Sequence, residues 1–92
     1  MDISQRLIIP AHVTYQSLDG EAVILNLESE QYFGLDKLGT RVWQEIAAGS
    51  TLEQIYTNLL ETYDVEPESL RGDLGNLLTD LVEQGLLEVV IE

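Results

Sequence analysis

The apolar residues of this chain change their spacing once, between Leu35 and Asp36. From Val13 to Leu35 they recur at short, strand-like intervals. From Asp36 to Gln84 they recur at helical intervals. Strands first and helices second predict an α+β fold, a small sheet with helices against it, rather than alternating strand and helix units. The length of 92 residues leaves room for one small domain, expected over 1–92, with 1–10 as a flexible N-terminal arm.

The first strand is expected at His12-Val13-Thr14-Tyr15-Gln16, where Val13 and Tyr15 alternate with Thr14 and Gln16. Asp19-Gly20 marks a hairpin, because glycine tolerates the positive φ that such turns require. Ala22-Val23-Ile24-Leu25-Asn26-Leu27 is apolar on both faces and reads as a central strand. After the polar turn Glu28-Ser29-Glu30 comes a third strand, Gln31-Tyr32-Phe33-Gly34-Leu35. The simplest arrangement is an antiparallel meander in sequence order. It leaves the third strand at an edge, with unpaired backbone donors and acceptors. Tyr32 and Phe33 are adjacent, so they point to opposite faces. One enters the core and the other is at least partly exposed.

Helix one is expected to start at Asp36 as N-cap, with Leu38, Val42, Trp43 and Ile46 as its stripe and Gly49 as its stop. Ser50-Thr51-Leu52-Glu53 has the spacing of a capping box for helix two. Pro67 suits the first turn of helix three, whose stripe runs from Leu70 through Leu74, Leu77, Leu78 and Leu81 to Val82. Gly85 ends it, and Leu86 to Ile91 reads as a closing strand or a packed tail. Gly72 and Gly75 lie inside helix three, where each costs about 1 kcal/mol relative to alanine. Tight packing and close approach of a ligand backbone both account for them.

The chain carries 17 Asp+Glu against 4 Lys+Arg, a formal net charge of −13. Its 45% apolar residues nevertheless belong to a folded domain. Phosphate binding runs on lysine and arginine, so nucleic acid is not an expected partner, nor is an anionic membrane surface. No stretch approaches the ~18 consecutive apolar residues of a membrane span. Met1 to Pro10 has no signal-peptide pattern, and there are no cysteines, so a cytoplasmic address is expected.

Candidates for chemistry are few. His12 has no Ser or Cys motif beside it and reads as a strand residue, not as a catalytic or metal-binding group. The carboxylates form no calcium loop, and no phosphate-cradling glycine loop is present. No enzyme activity, metal or cofactor is expected. On a helical wheel, Asp73, Asp80 and Gln84 flank Leu77 on helix three, so carboxylates border leucines. An edge strand with an exposed aromatic beside such a helix suits an extended peptide, bound by main-chain hydrogen bonds and side-chain pockets.

Several segments in order then resemble a known family. They are Asp19-Gly20-Glu21-Ala22-Val23-Ile24-Leu25-Asn26-Leu27, Gln31-Tyr32-Phe33-Gly34-Leu35, Leu38-Gly39-Thr40-Arg41-Val42-Trp43, Thr51-Leu52-Glu53-Gln54-Ile55, Tyr63-Asp64-Val65, Asp73-Leu74 and Leu81-Val82-Glu83-Gln84-Gly85-Leu86-Leu87. The pattern resembles the family of the pyrroloquinoline quinone biosynthesis protein D, small leader-recognition elements for ribosomally made, post-translationally modified peptides. Ala22 to Trp43 looks nearer to the stand-alone members of lasso-peptide pathways. Ala47-Ala48-Gly49 stands where quinone-pathway members carry Cys-Asp-Gly.

The resemblance implies a three-stranded sheet followed by three helices in a winged helix-turn-helix-like layout. It implies that a precursor's leader peptide adds as a strand to the third strand and lies against helix three. The peptide-facing positions would be Gln31, Tyr32, Phe33 and Gly34 on the strand and Asp73, Asn76, Leu77, Asp80 and Leu81 on the helix. It further implies a processing enzyme as second partner, a leader peptidase or cyclase. The alternatives are a quinone-type peptide chaperone for a radical SAM enzyme, a general interaction module, and a winged-helix DNA regulator. Helix three argues against DNA, with Arg71 alone facing Glu68, Asp73, Asp80 and Glu83. An exposed edge strand can also pair with a second copy, which leaves a homodimer open.

Overall fold

The computed structural model describes residues 6–90. Its elements are β1 (Arg6–Ile8), β2 (Val13–Leu18), β3 (Glu21–Asn26), β4 (Gln31–Gly34), α1 (Lys37–Ala47), α2 (Leu52–Thr62), α3 (Pro67–Glu83) and β5 (Glu88–Val90). β2, β3 and β4 form a three-stranded antiparallel sheet in sequence order, and the three helices follow it. The α+β reading holds.

Local chemistry explains the sheet. Asp19 and Gly20 both have positive φ, 53° and 81°, and form the two-residue hairpin turn between β2 and β3. The β3–β4 turn is organised by Asn26, a buried polar residue. Its Oδ1 accepts the N–H groups of Glu28 at 2.9 Å and Ser29 at 3.2 Å. Ala22, Ile24 and Asn26 face inward and are buried, while Glu21 and Val23 are exposed. On the inner face Tyr15 meets the fully buried Trp43 edge-on, with ring centroids 5.6 Å apart.

The helices close the core from one side. Asp36 caps α1 through a hydrogen bond that its Oδ1 accepts from Gly39 N–H at 2.8 Å. The capping box of α2 is one residue later than the Ser50–Glu53 expectation. Thr51 Oγ1 accepts the N–H of Gln54, and Gln54 Oε1 accepts the N–H of Thr51. The reason is the exit of α1: Ser50 N–H donates to Glu45 O at 3.0 Å and Gly49 N–H to Ile46 O at 3.0 Å. These two bonds are the paired C-terminal bonds of a helix end, so Ser50 belongs to α1's exit. The same pattern ends α3, where Gly85 (φ 75°) and Leu86 donate to Val82 and Leu81.

That turn sends Leu86 and Leu87 into the core and leads into β5. β5 pairs antiparallel with β1, Arg6 opposite Val90 and Ile8 opposite Glu88. The expected free arm over 1–10 is therefore not what residues 6–10 form: Leu7 is buried and Arg6–Ile8 is a strand. Burial of Leu7 and the ladder to β5 hold it down; residues 1–5 lie outside the described residues. Gly72 and Gly75 are not sites of tight packing, since a Cβ added at either would meet nothing within 4 Å.

Candidate peptide-binding groove

β4 pairs with β3 on one side and, among the described residues, with no strand on the other. The ladder's alternation decides which backbone groups are free. Leu35 N–H donates to Ala22 O at 2.8 Å, and the register sets Gly34 opposite Val23, Phe33 opposite Ile24, Tyr32 opposite Leu25 and Gln31 opposite Asn26. Bonded positions alternate along an antiparallel pair. Phe33 and Gln31 therefore direct their backbone groups at β3, whereas Tyr32 and Gly34 direct theirs at the open edge. Tyr32 is 71% exposed on the outer face, and Phe33 is half-buried against the core on the inner one.

Two depressions border α3, one among the three helices and one beside β4. The larger, about 270 Å³, is floored by Val42, Leu59, Leu70 and Leu74. Leu38 and Leu77 stand at its sides, and Asp36, Gly39 and Asp73 complete its lining. The smaller, about 20 Å³, is lined by Gln31, Tyr32 and Phe33 of β4, by Asn26 and Ser29, and by Gln84 and Leu86 beyond α3. The larger is lined by Asp36, two residues after β4, and by Leu70 to Leu77 of α3, the smaller by Gln31 to Phe33 of β4 and by Gln84 just beyond α3. β4 and α3 thus run antiparallel, with one depression near each end of the pair. Leu70 to Gln84 spans about 21 Å at 1.5 Å per residue, the length of about six residues of extended peptide at ~3.3 Å each.

The expected site residues divide accordingly. Asp73 and Leu77 line the larger depression, and Gln31, Tyr32 and Phe33 the smaller one. Gly34, Asn76 and Asp80 are exposed but line neither. Leu81 is fully buried and offers no surface, because its position on the wheel lies with Leu70 and Leu74 at the core-facing centre. Leu38, Val42, Leu59, Leu70 and Leu74 also line the larger depression, although helical spacing marks them only as apolar stripe and they are not among the expected peptide-facing positions. Gln84 was placed on the Leu77 flank but not carried into the peptide-facing set.

The groove has an electrostatic sign. Asp73 and Asp80 are exposed along it, and Arg71, the cation of α3, stacks 5.3 Å from the centroid of the Tyr56 ring. At the far end His12 Nε2 lies 3.1 Å from Gly85 O, and its Nδ1 3.4 Å from Glu28 Oε1, so the ring ties the start of β2 to the end of α3. Among the described residues no cluster of three or more His, Cys, Asp or Glu is arranged to hold a metal, and no helix is long and apolar enough to cross a membrane.

The sequence profile of the family described as coenzyme PQQ synthesis protein D (PqqD) matches residues 21–87. Among solved structures, TbiB1 in complex with the TbiA(beta) leader peptide superimposes with a TM-score of 0.86. It is 32% identical, over 92% of this chain and 99% of that one. A lasso peptide synthetase B1 complexed with the leader peptide superimposes with a TM-score of 0.82 at 22% identity, over 90% of this chain and 98% of that one. The latter likeness is one of fold. No curated protein matches the chain in sequence.

Proposed function

Because the chain belongs to the coenzyme PQQ synthesis protein D family, we propose that it is a leader-peptide recognition protein of the lasso-peptide type, without enzymatic activity of its own. It acts in the cytoplasm as a single recognition domain and hands a precursor peptide to a processing enzyme, a leader peptidase or cyclase. The observation that carries this reading is the open β4 edge, with an apolar-floored cavity reached two residues after it at Asp36, in a fold shared with two proteins whose structures hold leader peptides.

In this reading the leader extends the sheet through the free backbone groups of Tyr32 and Gly34. Side chains from one face of the leader enter the groove and are held by Leu77, Asp73 and the half-buried Phe33. Gln31 contacts the peptide at the far end, and Asn76 and Asp80 flank its course. Leu81 acts from below, as the support on which Leu77 sits. Main-chain bonds supply affinity that tolerates many sequences, and the cavity supplies selectivity.

Delivery needs a second surface. On the outer face of the sheet Leu18, Val23, Leu27 and Tyr32 are exposed, and Leu25 is half-buried between Thr14 and Tyr32. The turns at its two ends carry Asp19, Glu28 and Glu30, and Glu21 opens β3 beside the first of them. An apolar face bordered by carboxylates fits a processing enzyme with an apolar patch rimmed by cations. A second copy, itself at −13, is repelled by the same rim. A leader strand on β4 lies beside this face, so the enzyme meets protein and peptide together.

The direct test is titration of a fluorescein-labelled lasso-precursor leader with the protein, followed by anisotropy. Saturable binding that is competed by unlabelled leader is expected. Saturable binding to duplex DNA with no binding to any leader would support the winged-helix regulator instead.

A further inference from the structure

The larger depression is apolar in its floor but not at its rim. Two carboxylates, Asp36 and Asp73, share its lining with Leu38, Val42, Leu70, Leu74 and Leu77. They are not equivalent. Asp36 is engaged as the cap of α1, accepting the N–H of Gly39 at 2.8 Å. Asp73 is exposed, and the ion pairs among the described residues, His12–Glu28 and Arg41–Glu45, leave it without a cation. The nearest cation in sequence, Arg71, is turned away onto Tyr56. A free carboxylate thus stands at the mouth of a cavity with an apolar floor.

We propose that Asp73 makes this groove selective for a peptide carrying a lysine or arginine beside the apolar side chain seated in the cavity. The inference rests on the leader-recognition reading and adds to it the chemistry of the preferred leader. An arriving cation loses less by desolvation at the rim than inside, and it meets a carboxylate with no competing partner. Carboxylate–ammonium pairs at such half-wet positions favour binding by about two- to fivefold. The net charge of −13 attracts any cationic peptide, so a general field must be separated from a local contact. Glu61 supplies the control. It is exposed on α2 and lines neither depression, and its neutralisation changes the net charge by the same unit.

The experiment places Lys, Gln or Glu at each position of a labelled lasso-precursor leader in turn. Each peptide is titrated against the unmodified protein, Asp73→Asn and Glu61→Gln at low salt and at about 1 M salt, where the Debye length is ~3 Å. One leader position is expected to prefer Lys over Gln by about two- to fivefold in the unmodified protein and in Glu61→Gln. That preference is expected to vanish in Asp73→Asn and to fade at high salt. Equal loss in both variants, or a Lys preference that survives in Asp73→Asn, overturns the inference and leaves leader recognition standing. If no leader peptide binds any of the proteins, leader recognition itself fails, and this inference fails with it.

Discussion

Thr40 Oγ1 accepts the backbone N–H of Ala22 at 2.7 Å and lies 3.4 Å from Leu35 O, to which it donates. Both Thr40 and Ala22 are buried. This one hydroxyl joins the first turn of α1 to β3 and to the residue that follows β4. It therefore fixes the strand edge relative to the helix that walls the groove. Replacing Thr40 by valine keeps the shape and leaves the Ala22 N–H buried without a partner. Loss of about 1–3 kcal/mol of unfolding free energy is expected, read as a lower urea midpoint with an unchanged slope.

Leu7 tests the closure by β1 and β5. It is buried, and its strand joins positions from the two ends of the described chain. Leu7→Ala is expected to cost about 2–4 kcal/mol in urea unfolding. A change within 0.5 kcal/mol would mean that β1 contributes little to the fold.

Leu77 is half-buried at the side of the larger cavity, so truncating it removes groove wall more than core. Leu77→Ala is expected to weaken leader binding about tenfold in anisotropy titrations. Its urea midpoint should fall less than that of Leu78→Ala, because Leu78 is almost fully buried.

Val23 separates recognition from delivery. It is 38% exposed on the outer face, opposite Gly34, and away from the groove. Val23→Lys is expected to bind leader as the unmodified protein does and to slow leader removal by the partner peptidase about tenfold. An unchanged cleavage rate would move the enzyme contact off this face.

What was legible in the sequence was local. The Asp19-Gly20 turn, the Asp36 cap, the Pro67 start and the Gly49 and Gly85 stops each depend on residues within one turn of themselves, and all stand where the sequence put them. Two misreadings came from ambiguity or range. Ser50–Glu53 and Thr51–Gln54 both fit a capping box, and only the hydrogen bond from Ser50 N–H back to Glu45 decides between them. The β1–β5 pair joins Arg6 to Val90, and a three-residue strand leaves no periodicity to read. Helical periodicity sets Asp73 on the flank beside Leu77, and both line the larger cavity. It could not separate Leu77 from Leu81, because one turn of helix decides whether a leucine borders the cavity or lies beneath it. Open space around Gly72 and Gly75 has no sequence signature at all.

The central claim is strand addition to β4, and amide hydrogen exchange reads it at single residues. The Tyr32 and Gly34 amides face the open edge, while those of Gln31, Phe33 and Leu35 face β3. With saturating leader peptide, exchange at Tyr32 and Gly34 is expected to slow on the order of tenfold or more, with a smaller change at Phe33. Leader binding that leaves Tyr32 and Gly34 exchanging as in the free protein would contradict it.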